Sequence, residues 1–302
     1  AYIILLLFAW LALASAQHTR EVTGQGRPLL IVASSLATLL ALGVIYAKLT
    51  VLPETVPFVH KFEQVELPAE GGAVSGFYFS PKAPKSAVLL VHDLGAQSHT
   101  PAMATLADQL AQQHAVLTLD LPGHGRSGGQ AGGDVAPLLL EAASLLKQRA
   151  SGAPVVGLGV GFGAIYLLAA NRKEPAFQSL VLVSPAYSDA LVQQFCTRSE
   201  GPVVRYMYRV AGIRLAHKVT CTAPETLLAS VKAFPRTLLI AGKSDGVFPP
   251  SEAEQIQKQL PAGVAKLELL PGSHGEALYA DQPDEFYTLI EKWLAETEPG
   301  PD

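Results

Sequence analysis

Short aliphatic runs alternate with amphipathic stretches from about residue 62 onward, and this order leaves few possible folds. The aliphatic runs lack an apolar–polar alternation, which is typical of parallel strands covered on both faces. They are residues 87–92, 116–119, 155–159, 180–184, 237–241 and 266–269. The amphipathic stretches between them are 101–114, 135–149, 161–171, 251–259 and 284–296. We therefore predict a doubly wound, mostly parallel α/β sheet with right-handed crossovers and helices on both faces.

Two features complete this prediction. Residues 62–67 and 74–80 precede the parallel strands, and we expect them to form an opening antiparallel pair. The one long interruption between two core strands is residues 185–235. Loops of that length without structure of their own are uncommon in compact domains. The interruption is therefore predicted to be an inserted, partly helical lid.

Two uncharged apolar runs, 1–16 and 29–47, precede the globular pattern. As helices they would extend roughly 24 and 28 Å, against a bilayer core of about 30 Å. We predict that both span a membrane, so that residues 1–50 form an anchor. Residues 51–61 contain Pro53 and Pro57 and are interpreted as an extended linker. The globular domain then covers residues 62–302.

The first run has a second interpretation, and the orientation in the membrane is open. Residues 14–16, Ala-Ser-Ala, resemble a signal-peptidase site after a short apolar region. Arg20 and Arg27 in the loop between the runs favour a cytoplasmic loop and an extracytoplasmic globular domain. Lys48 and Lys61 favour the opposite orientation.

The charge of the chain excludes one class of partner and leaves the cysteines undecided. The formal net charge is −4, and residues 62–302 carry 18 basic and 24 acidic side chains with no basic run. A nucleic-acid partner is therefore not expected. Cys196 and Cys221 fit neither a zinc site nor a disulfide scaffold, so their bonding stays open. No metal or cofactor is expected.

Four motifs follow one another at a recognisable spacing. They are Val-His-Asp-Leu-Gly at 91–95, Leu-Asp-Leu-Pro-Gly-His-Gly-Arg-Ser at 119–127, Gly-Lys-Ser-Asp at 242–245 and Gly-Ser-His-Gly at 272–275. In this order they resemble the α/β-hydrolase family, and most closely its lysophospholipase and serine-aminopeptidase-like branch. The resemblance covers about residues 60–297. It implies an α/β-hydrolase fold with an inserted lid, here preceded by one or two transmembrane helices.

The resemblance also shows where the nucleophile of such an enzyme is absent. Members of the family carry a serine within G-x-S-x-G, on a sharp turn between a strand and a helix. The corresponding segment here is Gly-Val-Gly-Phe-Gly at 159–163, with Gly161 in the nucleophile position. A shift of the frame by two residues puts Gly159 there instead. Neither frame supplies a hydroxyl or thiol, so no acyl-enzyme can form at this position.

The remaining parts of a hydrolase site are present in the sequence. The resemblance implies that Asp245 is the catalytic acid and His274 the base. Either the pair only joins two loops, or it activates water. The backbone N–H groups of Leu94 and Phe162 are the candidate oxyanion-hole donors. Asp93 replaces the glycine that is common in the family, and its carboxylate would oppose a developing negative charge unless it points away.

These features lead to two alternative hypotheses about the function. The main hypothesis is a membrane-anchored, non-catalytic accessory or binding subunit of a membrane protein complex, with a lipid or small apolar ligand under the lid. The alternative is a lipase- or esterase-like hydrolase that acts on lipid-derived esters through Asp245, His274 and water.

Overall fold

The computed structural model of the protein describes residues 55–199, 201–220, 224–229 and 234–297. Among these residues, no helix has both the length and the apolar character needed to cross a bilayer. The runs predicted to span the membrane, 1–16 and 29–47, lie outside the described residues, so both spans stay predictions. The described part of the predicted linker, residues 55–61, contains no helix or strand.

One mixed sheet organises the described residues. Its strands are β1 (Glu63–Leu67), β2 (Val74–Phe79), β3 (Ala87–Val91), β4 (Ala115–Leu119), β5 (Val155–Val160), β6 (Ser179–Val183), β7 (Arg236–Gly242) and β8 (Ala265–Leu270). They lie in the order β1-β2-β4-β3-β5-β6-β7-β8. β1 and β2 pair antiparallel, as predicted, and β2 pairs antiparallel with β4. All other neighbours are parallel.

Helices connect the parallel strands, and two further helices follow β8. They are α1 (Pro101–Leu110), α2 (Ala136–Arg149), α3 (Phe162–Lys173), α4 (Asp189–Ser199), α5 (Pro202–Val210), α6 (Pro224–Leu228), α7 (Pro250–Gln259), α8 (Glu276–Asp281) and α9 (Pro283–Thr297). Two details of the prediction were wrong. The helix predicted over 101–114 ends at Leu110, because residues 111–113 form a turn that leads into β4 at Ala115. The short helix α8 was not predicted.

The sheet is covered on both faces, which explains its continuous apolar runs. In β3, Leu89 and Val91 point into the cluster that contains residues of α2 and α3. Val88 and Leu90 point into the opposite cluster, with residues of α1 and α9. Because successive side chains of a strand alternate between faces, a strand buried on both sides has no polar positions. The predicted mostly parallel α/β sheet with helices on both faces is confirmed.

The interruption between β6 and β7 contains α4, α5 and α6, so it is partly helical as predicted. We call residues 185–235 the inserted segment. That it acts as a lid stays a prediction. The loops after β3, β5, β7 and β8 all leave the carboxyl ends of parallel strands and therefore meet at one edge of the sheet, which is where α/β sheets bind ligands.

Candidate functional site

The turn between β5 and α3 is built around Gly161. Its φ of +53° lies in the left-handed region, where a residue with a side chain is strained by about 1–3 kcal/mol. Its N–H donates to the carbonyl of Val183 at 2.9 Å, and α3 begins at Phe162. Gly159, the other candidate of the sequence analysis, lies within β5. The residue at the turn is therefore Gly161.

The space beside Gly161 is filled by the carboxylate of Asp93. A Cβ atom built on Gly161 would overlap the carboxylate carbon and both oxygens of Asp93. Asp93 follows β3 by two residues and reaches across to the turn after β5. A side chain from a neighbouring loop thus occupies the position in which a side chain at 161 would lie.

One carboxylate oxygen of Asp93 accepts hydrogen bonds from both candidate oxyanion donors. Oδ1 accepts the N–H of Phe162 and the N–H of Leu94, each at 2.7 Å. The two donors therefore converge on one point, as an oxyanion hole requires. In this structure the charge that they bind belongs to the protein itself.

The second carboxylate oxygen of Asp93 contacts His274, which lies between two carboxylates. Nδ1 of His274 lies 2.8 Å from Oδ2 of Asp245, and Nε2 lies 3.2 Å from Oδ2 of Asp93. Burial alone would lower the pKa of His274, but its hydrogen bonds to Asp245 and Asp93 outweigh burial and raise the pKa to about 9. At neutral pH the ring is an imidazolium that donates from both nitrogens.

Asp245 is held in its ionised form by its surroundings. Burial favours the neutral acid, but hydrogen bonds to His274 and to the N–H groups of Phe248 and Val247 outweigh it and hold the pKa of Asp245 below its usual value. The backbone bonds to Oδ1 are 2.8 Å from Phe248 and 2.9 Å from Val247. Asp245 follows β7 and His274 follows β8, the setting that the family resemblance implied.

Two buried histidines brace the loop that carries Asp93. His92 contacts the carbonyl of Asp93 through Nδ1 at 2.7 Å, and its Nε2 accepts the N–H of Leu121 at 2.9 Å. Burial lowers the pKa of His92 and lowers that of its neighbour His124 to about 3. Both rings are therefore neutral at physiological pH. His92 fixes the backbone from which Asp93 points towards Gly161.

Aromatic side chains form an apolar wall beside this polar centre. The ring of Phe248 lies 5.0 Å from that of His274, and Phe195 of the inserted segment lies 5.0 Å from Phe162. Tyr208, also of the inserted segment, would contact a Cβ on Gly95 at 3.9 Å. Residues of the inserted segment thus lie directly against the loop that carries Asp93.

The structure brings together every site residue considered in the sequence analysis. Gly161, Leu94 and Phe162 converge on Asp93, and His274 joins Asp93 to Asp245. From the sequence, the Asp93 carboxylate was expected beside the oxyanion hole, whereas in the structure it lies inside the hole. The sequence did carry a signal for this contact. The loop after β3 has Asp93 where the family commonly has glycine, and the turn after β5 has Gly161 where the family has serine.

The cysteines and the possible metal ligands are described next. Cys196 is disulfide-bonded, whereas Cys221 lies outside the described residues. Within the described ranges, no group of histidine, cysteine, aspartate and glutamate side chains could hold a metal ion.

This chain is similar to one family model in sequence and to solved esterases in structure. The family model of the serine aminopeptidases (S33) matches residues 82–225, a little under half of the chain. An esterase from Pyrococcus furiosus has a similar structure, with a TM-score of 0.65, 18% identity and coverage of 82% of this chain and 98% of that one. No curated protein matches the chain by sequence.

Two further structures extend the likeness. A Rhodococcus esterase covers 78% of this chain and 99% of its own at 13% identity, with a TM-score of 0.60. A serine hydrolase without a lid from Xanthomonas campestris covers 82% and 100% at 15% identity, with a TM-score of 0.58. The chain has the α/β-hydrolase fold. At these identities the likeness establishes the fold alone, because one fold supports many different chemistries.

Proposed function

We propose that this α/β-hydrolase-fold protein does not hydrolyse esters and instead acts as a membrane-anchored binding or accessory subunit. The observation that carries the proposal is the position of the Asp93 carboxylate. It fills the space beside Gly161 and accepts both oxyanion donors. A serine hydrolase needs a nucleophile in that space and a vacant hole for the developing oxyanion.

Displacing Asp93 is costly. An ester that entered the hole would have to replace the bonds from Leu94, Phe162 and His274. Hydrogen bonds to charged groups contribute about 1.5–3 kcal/mol each. Because the donors are occupied, we do not expect even the residual rate that an oxyanion hole alone sustains in enzymes without their nucleophile.

The protonation state of His274 supports the same conclusion. A general base must be unprotonated at the working pH to accept a proton from water. The pKa of His274 is raised to about 9, with Asp93 and Asp245 both bonded to the ring. At neutral pH His274 is therefore an ion-pair partner and not a base.

The binding role is proposed from the surroundings of the site. Phe162 and Phe248 are the buried part of the apolar wall next to the occupied polar centre, and Phe195 is its partly exposed part. A lipid or another small apolar ligand under the inserted segment would contact the wall through Phe195. Anchoring rests on the predicted spans 1–16 and 29–47, and the partners would be other membrane-protein subunits. Purification of the full chain from its own membrane in mild detergent tests this part, and recovery as a monomer would contradict it.

A second candidate is an esterase-like hydrolase that uses water and no protein nucleophile. The observation in its favour is the intact pair between Nδ1 of His274 and Asp245 at 2.8 Å. This route requires Asp93 to leave the site, since only then do the oxyanion donors become free and the pKa of His274 fall. The likeness to esterase structures agrees with this candidate at the level of fold.

Turnover of a series of p-nitrophenyl esters by the full chain and by H274Q separates the two. We expect both proteins to match the rate of buffer alone. Turnover by the natural chain that disappears in H274Q would overturn the proposal and establish the water route. Turnover that appears in D93A and is lost in D93A/H274Q would show instead that Asp93 blocks a competent site.

A further inference from the structure

Helix α5 of the inserted segment leaves an apolar stripe in solvent. None of its residues is buried. Val203 is 69% exposed and Tyr206 is 48% exposed, whereas exposed large apolar side chains are few elsewhere in the described residues. Residues three apart lie on the same face of a helix, so Val203 and Tyr206 form one stripe, which continues to the exposed Arg209.

The opposite side of α5 faces the protein. Arg205 donates to the carbonyls of Leu215, Ala216 and His217. The side chain of Tyr208 reaches the loop at Gly95. These contacts fix one side of the helix to the domain, so the exposed stripe on the other side has a defined orientation.

Basic residues are concentrated in the stretch of chain that contains α5. Residues 198–218 contain five basic side chains, Arg198, Arg205, Arg209, Arg214 and Lys218, and one acidic side chain, Glu200. The chain as a whole has a net charge of −4, so this stretch differs in sign from the rest. Arg205 and Arg214 are engaged with backbone carbonyls. Arg198, Arg209 and Lys218 are exposed.

Each of these three cations lies on α5 or close to it. Arg198 precedes the start of α5, and its carbonyl accepts the N–H of Gly201. Lys218 follows directly on the carbonyls that Arg205 binds, so its backbone lies next to the side of α5 that faces the domain, and its side chain is exposed. An apolar helix face with basic residues near it is typical of a helix that lies in a membrane interface and contacts anionic headgroups.

We propose that α5 docks onto an anionic lipid surface, with Val203 and Tyr206 in the interface and Arg198, Arg209 and Lys218 on lipid phosphates. The docking places the inserted segment against the lipid. It depends on the surface of this segment alone and does not depend on whether the protein hydrolyses esters.

Hydrogen–deuterium exchange of the full chain with vesicles tests the docking locally, because predicted spans elsewhere could bind vesicles by themselves. The vesicles contain phosphatidylcholine alone or with about a third phosphatidylglycerol. We expect the amides of residues 203–210 to exchange more slowly with the anionic vesicles. Removal of a basic residue weakens such binding by roughly fivefold, and removal of three by on the order of a hundredfold.

Two variants, each with its own control, make the test specific. R198Q/R209Q/K218Q should lose the protection by anionic vesicles. K82Q/K147Q/K258Q removes the same charge from exposed lysines elsewhere and should keep it. V203S/Y206S should lose the protection, whereas V59S, at an 87% exposed valine, should keep it. Equal exchange of α5 with both kinds of vesicle, or equal loss in a variant and its control, would overturn the proposal.

Discussion

Oδ2 of Asp93 lies 3.2 Å from Nε2 of His274, while Asp245 holds the other nitrogen of the ring at 2.8 Å. A histidine placed between two carboxylates is stabilised as an imidazolium. The residue that the family resemblance assigns as the base is thereby converted into the central member of an ion-paired triad. Asp93 is also what fills the oxyanion hole, so one side chain accounts for both features.

The first prediction concerns the charge of His274. NMR of histidine-labelled protein should show that this ring titrates near pH 9, in line with its raised pKa of about 9. D93N removes one carboxylate but keeps its shape, and it should lower the pKa of His274 by roughly one to three pH units. D134N changes an exposed aspartate and serves as the control. An unchanged pKa in D93N would contradict the ion pair.

The second prediction concerns stability at alkaline pH. The pKa of His274 rises from 6.5 to about 9 on folding, so the protonated ring stabilises the native state by on the order of 3 kcal/mol. This contribution is fully present below pH 6.5 and disappears as the pH rises through 9. The difference in free energy of unfolding between the natural chain and H274Q should therefore shrink between pH 7 and 10.

Other groups that titrate in both the natural chain and H274Q cancel in the difference between their free energies of unfolding. Burial raises the pKa of Glu276 to about 8, and this group is present in both proteins. A difference that stays constant from pH 7 to 10 would show that His274 does not carry the charge.

Sequence alone predicts the scaffold of this site well. Aliphatic runs without alternation identify the buried strands, and motif order implies the positions of Asp245 and His274. Gly161 stands out because the strand–turn–helix pattern around it lacks a serine. These features depend on local sequence and on the edge of the sheet at which the loops meet.

The direction of the Asp93 side chain depends on contacts between distant parts of the chain. It is set by the N–H of Phe162, by the ring of His274 and by the brace from His92. No local pattern encodes those three contacts together. The helix α8 could likewise not be predicted, because its 6 residues are too few to show the apolar periodicity of a helix.

The third prediction concerns the competition of two side chains for one space. G161A should destabilise the protein by about 1–3 kcal/mol or more, because its Cβ overlaps Asp93 and its φ is unfavourable. In a D93G background the overlap is absent, so the same substitution should cost less. Chemical denaturation of the four proteins gives the coupling free energy. Additive effects would show that Asp93 does not occupy the space beside Gly161.

The fourth prediction concerns the brace at His92. H92A leaves the N–H of Leu121 and the carbonyl of Asp93 without their buried partner. The expected loss is about 2–4 kcal/mol in the free energy of unfolding, from unpaired polar groups and a cavity. H217A, at an exposed histidine, is the control and should change stability little. Equal stability of the two variants would remove His92 from its positioning role.

Labelling by a fluorophosphonate probe tests most directly whether Asp93 has taken the place of the nucleophile. The four proteins are the natural chain, G161S, D93G and D93G/G161S. We predict labelling of D93G/G161S alone, because only this variant combines a hydroxyl with free oxyanion donors and an unblocked His274. Labelling of the natural chain, or of G161S as strongly as D93G/G161S, would contradict the assignment of Asp93 as the occupant of the site.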